Sequence, residues 1–373
     1  MKIDRITTFI VDPGRWKNWV FVRIDTTDGT SGWGEAFTEA GRERAIAAEV
    51  EAFGGRLIGR DPAAIRRLTS ELAVDGAGRR QSLEFCSALS GIEIALWDIA
   101  GKAAGLPIHA LLGGPVRDRV RVYANCHDGV VTTPEGWADL CASYARRGFP
   151  GVKIYPVLRP ILGRRDEDEA VAIVAAVREA VGPDVDVMLD VYRMLTPASA
   201  ISLAHRLAEF RPYWLEEPVP SSSLQGLAEI RARSPIPVLS GESLFGKAEF
   251  RDLFALRAAD YINPDVCNCG GILELTEIAA WAEPHLVGVT PHNWNSLAIG
   301  LAATLQASAC IRDLLYVEHI SAWEERSNEL LQRPLEVVDA TIAIPTGPGL
   351  GVEVNEAALA RYPMREYTRL WPE

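Results

Sequence analysis

Six side chains able to carry charge or a proton recur along the second half of the chain. Asp190, Glu216, Glu242, Asp265, His292 and Glu318 follow one another roughly 25 residues apart, the length of one βα unit. Each closes a short apolar run: DVMLD, YWLEEP, PVLSGES, YINPDV, VGVTPH and LLYVEH. Asp190, Glu216 and Glu242 would come from three neighbouring strands. Carboxylates that converge without a cation repel and raise each other's pKa. An oxygen-only set with room for water and substrate oxygens suits Mg2+, which keeps several non-protein ligands. A lone strand-end acid is as readily a salt-bridge partner for a loop arginine; three at this spacing argue for the ion.

Asp265 and His292 pair an acid with an imidazole one strand on. A carboxylate behind an imidazole selects its tautomer and raises its basicity, which suits a general base. A lone histidine would more often be a hydrogen-bonded core residue. Upstream, Lys153 and Tyr155 lie at i and i+2 of GVKIYP and share a strand face. Lys153 could pair with a substrate carboxylate or act as a base. Tyr155 could exchange a proton if lysine and metal lowered its pKa; otherwise the two are an ordinary barrel lysine and a packed tyrosine. Glu318 could hold or protonate an oxygen of an intermediate, or bridge to Arg312 or His319.

The elements that must position these groups are legible as a rhythm. From residue 118 short apolar runs alternate with helical stretches, beginning with VRVYANC and GVKIYP. Regular βα alternation implies a parallel sheet, and eight units imply a closed barrel. A doubly wound sheet would place a glycine-rich phosphate turn after its first strand, and VRVYANCHDG has none. Before it, residues 2–11, 19–25 and GWGEAF read as strands, with Asp28-Gly29 as a turn, and residues 42–59, 62–74 and 84–104 as helices. The expected fold is α/β: a modified (β/α) TIM-type barrel over 118–340, an N-terminal α+β capping domain over 1–117, and a segment over 341–373 returning to the cap.

The net charge of −12 argues against nucleic acid or an anionic membrane as partner, since both call for a basic surface. No run approaches the roughly 18 apolar residues of a membrane span. MKIDRITTFIVDPG has no long apolar stretch after its basic residue, so no secretory signal is expected. Six scattered cysteines suggest free thiols in a cytoplasmic setting. Cys267 and Cys269 form a CxC pair without a partner pair at zinc spacing.

Taken together, GWGEAF (32–37), ALSGIEIALWDIAGKAAGLPIHALLGG (88–114), WLEEP (214–218), GES (241–243), NPDVCNCGG (263–271), TPH (290–292) and PTGPGLGVEV (345–354) resemble segments of the enolase superfamily. The closest branch is the mandelate racemase-like one, the mandelate racemase/muconate lactonizing enzyme family. The resemblance spans most of the chain. It implies Asp190, Glu216 and Glu242 as magnesium ligands, Asp265 and His292 as the dyad, and Glu318 as the final-strand acid. It also implies homo-oligomers, and a cap whose early loop GRWKNW supplies Trp16, Lys17 and Trp19 as lid contacts. Asn293, beside the dyad, is a further candidate substrate contact.

The implied reaction is removal of a proton α to a carboxylate, with a Lys or His base and magnesium holding an ene-diolate. Charge placed where the dianion develops would supply most of the rate. Two departures narrow it. Racemases of this branch commonly carry a KxK pair on the second strand; here Lys153 is followed by Ile154 and Tyr155, which weakens a two-base reaction. After Asp190, relatives often carry DxN or DxH; here Tyr192 is either an acid for a leaving hydroxide or a wall. The expected substrate is a small carboxylate, a sugar acid, and the expected enzyme a dehydratase, with a cycloisomerase or epimerase as the alternative. Arg159, Arg164 and Arg165, in the loop after strand two, are candidate anchors.

Overall fold

The structure, a computed structural model, describes every residue except 15–16, 78–80, 128, 158, 162, 295, 297 and 368–373. The N-terminal unit opens with an antiparallel meander of β1 (Ile3–Val11), β2 (Trp19–Thr26) and β3 (Ser31–Ala36). Gly29, at φ 88°, carries the β2–β3 turn. Strand β2 buries both faces. Trp19 and Phe21 point into the barrel's core, whereas Val22 and Ile24 pack on the cap helices, as the period of two demands.

Those helices are α1 (Glu43–Leu57), α2 (Ile65–Ala77) and α3 (Leu83–Ala104). Ser82 caps the start of α3 by accepting from the Phe85 amide, and Gly105 ends it in the left-handed region at φ 67°. Helix α3 lies hard against β3: a Cβ at Gly34 would stand 1.9 Å from the Gly91 carbonyl oxygen. Only glycine permits that approach.

After the short α4 (Ile108–Leu111) come eight parallel strands: β4 (Arg119–Asn125), β5 (Gly151–Ile154), β6 (Asp186–Asp190), β7 (Trp214–Glu216), β8 (Val238–Ser240), β9 (Tyr261–Ile262), β10 (Gly288–Val289) and β11 (Val317–Ile320). Each pairs with the next up to β10, and β11 pairs back onto β4 with Glu318 opposite Tyr123. The seam between β10 and β11 is closed by the Leu315 amide donating to the Val289 carbonyl at 2.8 Å. The crossovers are α5 (Pro134–Arg146), α6 (Arg164–Val181), α7 (Pro197–Leu207), α8 (Leu224–Arg233), α9 (Gly246–Leu256), α10 (Ile272–Ala282) and α11 (Ala298–Ser308). Beyond β11 the short α12 (Glu324–Glu329) takes the place of a full-length helix. The hairpin of β12 (Val337–Val338) and β13 (Thr341–Ala343) then lays β13 antiparallel on the first half of β4.

Buried cap carboxylates seat the two units. Glu93 of α3 accepts from the Ile272 and Leu273 amides at 2.7 and 3.0 Å, and Glu35 of β3 from the Gly300 amide at 2.7 Å. Both meet the first turn of a barrel helix, where free N–H groups and the helix dipole favour negative charge. Asp98 accepts from the amides of Trp33 and Leu350, each at 2.9 Å, and so ties β3 and the returning C-terminal segment to α3.

Candidate active site

The strand ends converge at one mouth. Asp190 and Glu216 are the last residues of β6 and β7, and Glu242 lies just past β8. One carboxylate oxygen from each lies within 4.8 Å of the others, and all three side chains are buried. Among the described residues this is the one cluster able to hold a metal ion. Cys267 and Cys269 are buried free thiols outside it. The Oε2 atom of Glu242 is buried without a hydrogen-bond partner; Nε2 of His292 stands 3.3 Å away but outside hydrogen-bond geometry. Burial pushes Asp190 up to about 6 and Glu216 well above the carboxylate range. Glu242 is held low against its burial by His292 and Arg193. A buried all-oxygen trio with one orphaned acceptor and two members that resist ionising fits a hard divalent cation.

Lys153, in β5, is fully buried beneath the trio. Its Nζ lies 2.7 Å from Glu318 Oε1, 3.0 Å from Glu216 Oε1 and 3.5 Å from Asp190 Oδ2. Burial opposes its charge, yet Glu216 and Glu318 hold its pKa well above the usual lysine value. Lys153 is thus ion-paired with three carboxylates, two of them members of the trio. Glu318 is drawn down to about 2 by Lys153 and His292 despite its burial, and it also accepts from the Asn125 side chain at 2.7 Å and the Asn293 amide at 2.8 Å. It bridges to neither suggested partner, since Arg312 pairs with Glu283 and His319 lies against Glu324.

Opposite Lys153, Asp265 and His292 lie just beyond β9 and β10 and are joined by an isolated parallel bridge. Nδ1 of His292 is 2.7 Å from Asp265 Oδ2, and its Nε2 faces Glu242 at 3.3 Å and Glu318 at 3.8 Å. Burial works against the charged ring, but Glu242, Glu318 and Asp265 together raise it to about 10. The ring's apolar flank meets Phe37 of the cap, 6.3 Å between centroids.

Tyr155 does lie on the Lys153 side, 5.9 Å from Nζ to ring centroid, but burial drives its phenol well above its usual pKa, and its hydroxyl accepts from Asn125 at 2.9 Å. Burial outweighs the pull of Lys153 on this phenol. Tyr192, expected as an acid or a wall, sits in the left-handed region at φ 44°, and burial pushes it up to about 12.

Of the three cap residues expected over the mouth, Trp16 lies outside the described residues. Lys17 is buried, donates to the Thr38 carbonyl at 2.8 Å and lies over the Phe37 ring, so it borders the His292 side. Trp19 opens β2, as the 19–25 strand reading has it, but it is fully buried with its indole edge-on to Trp323, so the expected lid contact is corrected to an interior one. The anchors suggested after strand two are exposed: Arg159 pairs with Asp166 and Glu169, Arg165 with Glu169, and Arg164 is the exposed first residue of α6.

Several residues escaped the sequence reading. Asn125 ends β4 and links Tyr155 to Glu318; its place at a strand end was the available signal. Asn263 donates to Glu216 Oε1 at 2.9 Å and accepts from the Glu242 amide at 3.1 Å; it lies within NPDV, two residues before the noticed Asp265. Arg193 donates to Glu242 Oε1 at 2.7 Å and Glu217 Oε2 at 3.2 Å, with no sequence signal beyond its closeness to Asp190. His127, Trp294 and Trp323 complete an aromatic wall running from Tyr155, with ring centroids 4.8–5.1 Å apart at each step.

A capped, closed barrel with an acid trio, a buried lysine and an Asp–His pair at its C-terminal mouth defines an enolase-type α/β protein. The chain belongs to the mandelate racemase/muconate lactonizing enzyme family of the enolase superfamily: residues 11–113 match that family's N-terminal domain and residues 136–358 its enolase C-terminal domain-like part. It is 38% identical over 358 residues to a D-galactarolactone cycloisomerase of Agrobacterium fabrum, covering 92% of this chain and 91% of the relative. It is 34% identical over 376 residues to a D-galactonate dehydratase of Xanthomonas euvesicatoria, covering 97% and 94%. A solved mandelate racemase/muconate lactonizing enzyme from Sulfitobacter sp. superposes with a TM-score of 0.92 at 32% identity, over 99% of this chain and 96% of that one. The chain is thus an enzyme of the lyase or isomerase kind that its relatives represent.

Proposed function

We propose that the protein is a Mg2+-dependent sugar-acid dehydratase. The observation that carries this reading is the asymmetry of the mouth: one hydrogen-bonded Asp265–His292 pair on one side, and on the other a lysine locked as a cation by Glu318 and Glu216. Such a site has one imidazole backed by a carboxylate, and a tyrosine rather than a second lysine at position 155. Asp190, Glu216 and Glu242 would hold the ion. Magnesium there would supply charge that offsets the second negative charge gained by the substrate carboxylate, and would free His292 from the pull of Glu242.

His292 Nε2 takes the proton α to the carboxylate, while Asp265 fixes the ring through Nδ1 and stabilises the imidazolium. The electron pair of the broken C–H bond passes into the ene-diolate, and Lys153 adds a fixed positive charge on the far side. The pair then returns to expel the β-hydroxyl, which takes a proton and leaves as water. The imidazolium just formed is a stronger acid than either phenol, so it supplies that proton. The enol product tautomerises to a 2-keto-3-deoxy acid. The setting taken with this reading is the cytoplasm.

Incubation with a panel of aldonate and aldarate acids plus Mg2+ is expected to yield a 2-keto acid from at least one member. No keto acid from any member would overturn the dehydratase reading. A second reading, a cycloisomerase acting on a sugar-acid lactone, is favoured by the higher identity to the Agrobacterium enzyme than to the dehydratases. Proton NMR in deuterated water separates them, since ring rearrangement without loss of water marks the cycloisomerase.

A further inference from the structure

Arg193 belongs to no part of the mechanism above, yet one of its nitrogens touches a candidate metal ligand. The chain passes from Asp190 through two consecutive non-glycine residues in the left-handed region, Tyr192 at φ 44° and Arg193 at φ 62°. Such conformations cost energy and persist where the surroundings impose them. Here they turn the Arg193 side chain back across the strand ends, so that Nη1 lies 3.2 Å from Glu217 Oε2 and 2.7 Å from Glu242 Oε1.

This guanidinium has a second anchor besides Glu242. The Arg193 amide donates to the Glu217 carbonyl at 2.7 Å. The Glu217 carboxylate is itself set by Ser240 Oγ at 2.6 Å, the Gly241 amide at 2.9 Å and Ser243 Oγ at 3.0 Å. Glu217 is fully buried, and Arg193 is the cation it pairs with. Glu242 therefore leans on a group that Glu217 also holds. It uses Oε1 to do so, which leaves the buried, unbonded Oε2 turned toward His292.

We infer that Arg193 is a positioning residue for the metal site: anchored on Glu217, it holds Glu242 by one oxygen so that the other is presented to a divalent cation. The inference rests on Asp190, Glu216 and Glu242 being the ligands. It yields a sign that simple electrostatics reverses. A cation 2.7 Å from a ligand oxygen should repel a metal, so removing it should tighten binding. If orientation dominates, removing it should weaken binding, as loss of a group supporting a metal ligand commonly does by about 10–100-fold.

The test is titration of the metal-free protein with Mn2+, reading free ion by electron paramagnetic resonance, for wild type, Arg193→Lys, Arg193→Met and Glu216→Gln. Circular dichroism melts without metal report whether each variant is folded. The expected result is weaker binding by about 10-fold or more in Arg193→Met, with Arg193→Lys between it and wild type. Saturating metal should restore most of the lost turnover. Unchanged or tighter binding in a folded Arg193→Met or Arg193→Lys protein would overturn the inference. If Glu216→Gln binds Mn2+ like wild type, the assignment of the trio fails instead, and Arg193 with it.

Discussion

Nδ1 of His292 lies 2.7 Å from Oδ2 of Asp265, both side chains buried, with Nε2 of the same ring turned to the acid trio. The carboxylate decides which nitrogen carries the proton and aims the other at substrate. Replacing Asp265 by Asn keeps the shape but offers an amide that no longer selects the tautomer. Turnover of Asp265→Asn is expected to fall by about 10²–10⁴-fold, with Mn2+ binding nearly unchanged. His292→Asn should lose both product formation and α-proton exchange in deuterated water while still binding the acid. Wild-type exchange in His292→Asn would remove His292 as the base.

Metal binding should appear as stability. A ligand that binds the folded state alone adds about 2.7 kcal/mol at 100 times its dissociation constant. Wild-type protein treated with a chelator is expected to lose activity and to melt higher when Mg2+ is restored. Glu216→Gln should show no such rise, which calorimetry with and without the ion will read.

Lys153 neutralises a nest of buried acids. Lys153→Met fills much of its volume but leaves Glu216 and Glu318 without their cation, a change that typically costs about 3–5 kcal/mol. Urea melts of the metal-free variant should show that loss. Adding Glu318→Gln should recover part of it, because the two side chains are in contact and their effects are not additive.

Burial pushes the amine of Lys17 down to about 8 from its ordinary 10.5, against the pull of Glu39 and Glu35. Between pH 8 and 10.5 the unfolded chain therefore holds more of this proton than the folded one, so this residue makes stability rise with pH across that window. Below pH 8 its cost is present in full, on the order of 3 kcal/mol. Lys17→Met should be more stable than wild type at pH 7 and should lack the rise. A wild-type curve falling between pH 8 and 10, unaffected by the substitution, would contradict this placement.

Much of the architecture was legible because it repeats. Eight short apolar runs ending in polar residues announce a barrel, and all eight form its parallel strands. The alternation in β2 was equally plain as a strand, but not its division of side chains between two cores, because the period of two tells that faces differ without telling what covers each. The trio and the dyad were visible for a geometric reason: parallel strands in register bring their C-terminal ends to one rim, so regular spacing in sequence becomes proximity in space.

Sequence alone determined the fold class, the list of converging strand-end groups and the family to which the chain belongs. Tertiary structure decided how those groups behave. Tyr155 shares the strand face of Lys153, yet burial holds its proton on, and Lys153 remains a cation because Glu216 and Glu318 surround it from strands that are distant in the chain. Arg193 enters the site through a left-handed turn, and Trp19 leaves the lid for the interior by pairing with Trp323. Charge, proton affinity and orientation depend on neighbours brought together by the closed barrel, and no local pattern encodes them.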